Sequence, residues 1–269
     1  MIENKKIWLI GAGSGIGREL ALKLAGSGNT VVISGRNLES LQSVSTELID
    51  RHGAAAGPED KAAGKVVPLA CDVTDDTQTV EAVTEITAMV GTLDMLIFCA
   101  GRCEYVEDAE LSTDLFRRVY DVNVFGMVNA VSAVLPTMKA MAGESKPQVV
   151  GVASLSAVVG LPRAEAYGSS KAAAIYFLES LRLDLAKYNV DVSVVNPGFV
   201  ETPMTESNDF PMPFLMQVDE AADCIIRGVA KRKRTVNFPW RLTLTLKLAA
   251  MFPVLWYGII GPRLARREA

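Results

Sequence analysis

Ser154, Tyr167 and Lys171 are the residues of this chain whose types and spacing suit proton chemistry. Tyr167 and Lys171 are four apart, so on a helix they share one face, one turn from each other. A free phenol titrates at about 10, too high for easy proton exchange near neutrality. A lysine ammonium one turn away favours the phenolate and brings that value toward a useful range. Ser154 closes the apolar run 149–153, which reads as a buried strand. The serine then sits at the carboxyl end of a strand, where open α/β sheets bind ligands. By itself, a Tyr-x-x-x-Lys pair equally describes an ordinary helix with one aromatic residue and one solvated lysine.

The elements around these residues alternate between strand and helix. A short apolar strand, 7–10, runs into Gly11-Ala12-Gly13-Ser14-Gly15-Ile16-Gly17, and helical spacing follows over 18–25. The turn is G-x-x-x-G-x-G. Its glycines let the backbone approach a pyrophosphate, and the helix amino end supplies free N–H groups and a positive dipole. The second strand, 30–34, ends in Gly35-Arg36 with no acid beside it. A carboxylate at this point would bond a ribose hydroxyl, whereas an arginine can receive a 2′-phosphate. Arg36 reads as that receptor or as a solvated residue at a helix start. Further strands are expected at 66–70, 93–98, 190–195 and 235–238, with helices at 38–49, 75–90 and 219–229 and a long one after Ser112. Asp75 and Ser112 read as helix caps. Asn196-Pro197-Gly198 is expected to end the pairing of the sixth strand, because proline cannot continue a central one.

The turn at 11–17, Ser154, the Tyr167/Lys171 pair and Asn196-Pro197-Gly198 together resemble the short-chain dehydrogenase/reductase family in its common single-domain form. The resemblance reaches to about Arg227. It implies an α/β fold of Rossmann type over residues 1–238, a doubly wound parallel sheet of strand order 3-2-1-4-5-6-7; the apolar extension over 239–269 lies beyond it. It also implies hydride transfer between NADP(H) and the carbonyl or alcohol of a lipophilic small molecule. NAD(H) is the lesser alternative, since no acid follows the second strand.

In the family's terms, Tyr167 is the acid or base at the substrate oxygen, and Ser154 hydrogen-bonds that oxygen. Lys171 tunes Tyr167 and bonds the nicotinamide ribose. Asn123, inside a helix, matches a residue that bends it and holds a water in a proton relay, or is a packing amide. The implied cofactor contacts are Gly11, Ser14, Gly15, Ile16, Gly17 and Arg36, then Asp72 and Val73 at the adenine, Ala100 and Gly101, Tyr167 and Lys171, and Pro197, Gly198, Val200 and Thr202. Cys99 departs from the family's usual Asn-Ala-Gly and puts a brace of the central sheet in doubt. Cys99 and Cys103 lie beside the expected site as candidate thiol-sensitive positions. Residues 204–217, rich in Met, Pro and Phe, correspond to the family's substrate lid or pack on the core. A homodimer or homotetramer is expected. A non-catalytic nucleotide-sensing or interaction protein is the rival class, but such proteins lose the Tyr or Lys, and both are present here.

A chain of 269 residues, 49% of them hydrophobic, can bury one large α/β core or two small ones. Its four cysteines form no Cys-x-x-Cys pair and no metal spacing with the single histidine, His52, which reads as a surface residue. Reduced thiols, and an opening with no apolar leader, point to the cytoplasm, with membrane association left open by the tail. The formal charge of −4 speaks against nucleic acid as a partner. The alanine- and glycine-rich stretch 52–65 reads as a mobile surface loop.

From Arg227 onward there are ten Lys/Arg and one acid, Glu268, a charge of +9, so the rest of the chain carries −13. Within that segment 242–261 is almost wholly apolar, broken by Lys247 and Pro253 and flanked by Arg241, Arg263, Arg266 and Arg267. Two helical pieces broken at the proline are expected. They suit a membrane interface through 239–267, a cover for the substrate pocket or a subunit contact, and less well a bilayer span.

Overall fold

Successive residues of the first strand face opposite sides of a sheet. In β1 (Lys6–Ile10), Ile7 and Leu9 enter one apolar core, while Trp8 and Ile10 enter another. A strand buried on both faces reads as an unbroken apolar run, which is how β1, β4 (Met95–Phe98) and β5 (Gln148–Val152) appear in the sequence. With β2 (Thr30–Gly35), β3 (Lys65–Ala70), β6 (Asp191–Pro197) and β7 (Thr235–Phe238) they form one parallel sheet of order β3-β2-β1-β4-β5-β6-β7. This is the order that the resemblance implies. The computed structural model describes residues 1–52, 64–141 and 145–265. Most of the expected loop at 52–65, the His52 side chain, and Arg266 and Arg267 lie outside the described residues.

Helices cover both faces. On one side lie α1 (Gly15–Gly26), α2 (Leu38–His52) and, later in the chain, α8 (Val218–Ala230), through Leu20, Leu24, Leu41 and Ile225. The other side carries α3 (Asp76–Val90), α5 (Gly126–Ala140) and α6 (Glu165–Leu185), through Ile86, Val131, Ala174 and Leu178. Each such buried Val, Leu or Ile side chain contributes about 1.5–3 kcal/mol. Trp8 is fully buried, and its indole N–H donates to Ser34 Oγ at 3.0 Å, so its polar edge is satisfied. Asp75 caps α3 by accepting from Gln78 N at 3.1 Å, and Ser112 caps α4 (Thr113–Tyr120).

Two local features aim helices at the carboxyl ends of the strands. In β5, a Cβ on Gly151 would lie 2.3 Å from Leu178 Cδ1, so only glycine lets α6 approach this closely. Between α4 and α5, Asp121–Phe125 forms a π-helical turn, and the extra residue turns Asn123 inward to full burial.

The pairing of β6 ends within Asn196-Pro197-Gly198, as expected, with Pro197 its last paired residue. The ladder to β7 continues through Pro197, opposite Phe238, and Gly198 N donates to Phe238 O at 2.7 Å. Alternate amides of β6 point to β7: Val194 N donates to Arg234 O, and Gly198 N falls on the same side. The nitrogen of Pro197 therefore faces β5, whose pairing has already stopped at Val195. No ladder bond is lost there.

The C-terminal extension begins with α9 (Trp240–Met251) and turns by 98° into a second helix, Pro253–Leu264. The proline break is as expected. Leu242, Leu246 and Trp256 bury themselves against Leu155 and Val159, so one side of the pair covers the segment after β5. The bend removes a straight bilayer span. Short α7 (Pro203–Glu206) lies beyond β6.

Candidate active site

Ser154 leaves β5 in an extended conformation, and its Oγ accepts hydrogen bonds from Ser156 N at 3.1 Å and Ser156 Oγ at 3.0 Å. With both lone pairs engaged, its own hydrogen is left to donate into the cleft, where the Tyr167 phenol accepts it. Tyr167 stands in the first turn of α6, and Lys171 one turn on, with Nζ 5.8 Å from the Tyr167 ring centroid. Lys171 is only 3% exposed and donates to the carbonyl of Val152 at 3.0 Å. The strand end thus fixes both the serine and the ammonium.

The titration of this pair corrects the simplest expectation. Burial pushes the Tyr167 phenol above its ordinary value, with a hydrogen bond from Ser154 acting the other way. Burial also brings Lys171 down to about 8. Desolvation is the leading cause for both groups, because they leave water together. Burial likewise raises Cys99 to about 11 and raises Cys103, which keeps both as thiols and argues against reactive-thiol roles.

Asn123 spends its side chain on protein partners. Its Oδ1 accepts from Arg102 N at 2.8 Å, and its Nδ2 donates to Arg102 O and to Ser170 Oγ, each at 2.9 Å. These bonds tie the segment after β4 to α6. Arg102 and Arg118 both pair with Glu104, and Arg118 foremost holds that carboxyl down to about 2.

Ser154, Tyr167 and Lys171 open onto a cavity of about 750 Å³ along the carboxyl ends of the strands. The turn after β1 lines it through Gly11, Ser14, Gly15, Ile16 and Gly17, and the end of β2 through Arg36. Asp72 and Val73 after β3, Ala100 and Gly101 after β4, and Pro197, Gly198, Val200 and Thr202 after β6 complete the wall. Of the residues expected from sequence, only Asn123 is not in the lining; it lies beneath it. The turn suits a pyrophosphate. A Cβ on Gly17 would sit 2.1 Å from Gly11 O, so side chains are excluded where backbone N–H groups gather at the start of α1. Arg36 is exposed beside this turn and makes no ion pair among the described residues.

Sequence reasoning passed over Asn37, Ser40 and Arg102, which also line the cavity. Asn37 Oδ1 accepts from Ser40 N at 3.1 Å, and an Asn three residues before a Ser at a helix start was the available signal. It also passed over Tyr105, whose hydroxyl donates to Asn208 Oδ1 at 2.9 Å and whose ring meets Phe210 edge-on at 5.5 Å. Phe210 meets Phe199 in turn, so the expected lid packs through its aromatic residues, while Met204, Phe214 and Leu215 stay exposed. Tyr105 lies close enough to Tyr167 for the charge of Tyr167 to bear on it.

Comparison with known proteins agrees with this arrangement. The short chain dehydrogenase family model matches residues 5–211. An uncharacterised oxidoreductase of Myxococcus xanthus is 37% identical over 244 residues, 90% of this chain and 90% of its own. A short-chain type dehydrogenase/reductase from Mycobacterium ulcerans shares the fold with a TM-score of 0.79 at 24% identity, over 100% of this chain and 99% of its own. Actinorhodin polyketide ketoreductase, solved with NADPH, gives a TM-score of 0.76 at 25% identity, over 89% of this chain and 97% of its own. Sheet order, cleft and relatives converge, and the chain belongs to the short-chain dehydrogenase family of oxidoreductases.

Proposed function

We propose that this oxidoreductase uses NADPH to reduce the carbonyl of a lipophilic small molecule, or runs the reverse reaction on the alcohol. The observation that carries the reading is the convergence of Ser154, Tyr167, Lys171 and Arg36 on one cleft that also holds the glycine turn. Bound NADPH would supply the hydride. Tyr167 gives its hydroxyl proton to the carbonyl oxygen, and its raised pKa keeps that proton in place until the oxygen gains charge. Ser154 donates a hydrogen bond to the same oxygen as the charge develops. Lys171, at about 8, carries charge at neutral pH and holds the phenol's side of the cleft positive.

Arg36 supports NADP(H) over NAD(H): it is a cation with no ion pair among the described residues and no acid next to it in the sequence, where an extra phosphate would be favoured and a carboxylate would repel it. The 25%-identical ketoreductase solved with NADPH is consistent with that choice. Tyr105, near enough to Tyr167 to feel its charge, packs on Phe210 and Phe210 on Phe199, and this aromatic group supports an apolar substrate. Asn123 positions the Gly101–Arg102 backbone beside Lys171, and a relay water would have to use its main chain, because its side chain is taken.

Initial rates of NADPH and NADH consumption, measured over a panel of lipophilic ketones and aldehydes, test the reading. Oxidation of NADPH with kcat/KM at least about tenfold above that for NADH is expected, a difference of about 1.4 kcal/mol. Preference for NADH would overturn the cofactor choice, and no consumption across the panel would overturn the substrate class.

A further inference from the structure

We infer that the outer face of the C-terminal helix pair docks on an anionic lipid bilayer. This goes beyond the hydride-transfer reading and stands without it. One side of α9 and of the Pro253–Leu264 helix is buried through Leu242, Leu246 and Trp256. The opposite side is apolar and exposed: Trp240 is 69% exposed, Met251 70% and Val254 86%. Of twenty-three exposed large hydrophobic residues among those described, eleven fall between residues 240 and 264. Scattered apolar residues are ordinary on a protein surface, but a contiguous patch of this kind marks a contact.

Shape and charge select the occupant. The two helices meet at 98°, so their exposed apolar residues do not form the single straight stripe that a helical or extended peptide would line. At about 1.5 Å per residue, the twelve residues of α9 span roughly 18 Å, short of the roughly 30 Å bilayer core. The pair can lie in the interface but neither arm can cross it. Arg241, Lys247 and Arg263 stand around the apolar face and make no ion pair among the described residues. No acid occurs from residue 224 to residue 265. A second copy of this face would set like charges against each other, whereas anionic headgroups neutralise them. Trp240 and Tyr257, both exposed, are the side chains that settle at headgroup depth. Each basic group near such a surface strengthens binding about fivefold. The acidic remainder of the chain would be repelled and would orient the molecule with its tail on the membrane.

The test is co-sedimentation of the full chain with vesicles of phosphatidylglycerol and phosphatidylcholine, against phosphatidylcholine alone, at low and high salt. Binding to the anionic vesicles about 25-fold stronger at low salt is expected, as two basic groups would provide. The double variant Met251→Glu, Val254→Glu should lose that binding at least tenfold while keeping wild-type mass in solution. A measurement without variants uses tryptophan fluorescence. Trp8 and Trp256 are buried, so quenching by brominated lipid reports Trp240. Anionic vesicles carrying that lipid should quench it. No binding at low salt, no quenching, or a double variant that binds like wild type would overturn the proposal. A double variant that instead dissociates a wild-type oligomer would identify the face as a contact between copies and would overturn it equally.

Discussion

Trp256 holds Gly160: its indole Nε1 donates to the Gly160 carbonyl at 3.0 Å, although 96 residues of chain separate them. Tyr257 completes the grip, its hydroxyl accepting from Gly160 N at 3.0 Å. Gly160 lies six residues past Ser154, so the tail fixes the segment that emerges from the catalytic strand. Trp256→Phe keeps most of the apolar packing and removes the donor. Because Gly160 is exposed and water can replace the bond, the loss should be about 0.5–1.5 kcal/mol. Urea unfolding checks the size, and a rise in substrate KM with unchanged NADPH affinity checks the coupling to the substrate side.

Arg36→Ala should weaken NADPH binding by about 1.5–3 kcal/mol, the range for a charge-assisted hydrogen bond, and leave NADH binding nearly unchanged. Titration calorimetry with each cofactor measures this. Equal losses for both would make Arg36 a structural residue.

Gly17→Ala tests the turn. The added methyl would lie 2.1 Å from Gly11 O and 2.9 Å from Gly11 C, both backbone atoms that cannot rotate away. The turn must shift, at a cost of about 1–3 kcal/mol for overpacking. A lower Tm together with weakened binding of both NADPH and NADH is expected. Unchanged binding would mean that the turn does not carry the cofactor.

Glu104 gives a pH signature. Its carboxyl titrates at about 2 in the folded chain instead of 4.5, because Arg118 and Arg102 favour the ionised form. The stability this adds is fully present above pH 4.5 and is lost as pH falls toward 2. Discounted for solvent screening, Glu104→Gln should cost about 1–2 kcal/mol at neutral pH. The difference from wild type should close near pH 2 in urea unfolding. A gap independent of pH would assign the loss to packing.

The strands were legible because both faces are covered, which leaves apolar runs such as Leu96-Ile97-Phe98 that need no alternation. Their order was not legible from periodicity; it came with the family resemblance. Pro197 marked the end of β6, but that it keeps its place opposite Phe238 was not legible, because the cost of a proline depends on which neighbouring strand its nitrogen faces and register is invisible in sequence. Tyr105 and Asn208, 103 residues apart, meet only through the fold, and neither belongs to a motif. The pKa directions at Tyr167 and Lys171 were also out of reach, since spacing shows proximity and not desolvation.

The central claim is that Tyr167 delivers the proton while the substrate carbon takes a hydride from the nicotinamide. The most direct measurement uses NADPH deuterated at the transferring position of the ring with the most reactive carbonyl of the panel, and locates the label by mass spectrometry. Wild type should place deuterium on the carbinol carbon of the product alcohol. Tyr167→Phe should form that product at least about 100-fold more slowly, the range for loss of a general acid, with NADPH affinity within a few-fold of wild type. Product formed without deuterium at that carbon, or at more than about a tenth of the wild-type rate in Tyr167→Phe, would contradict the account.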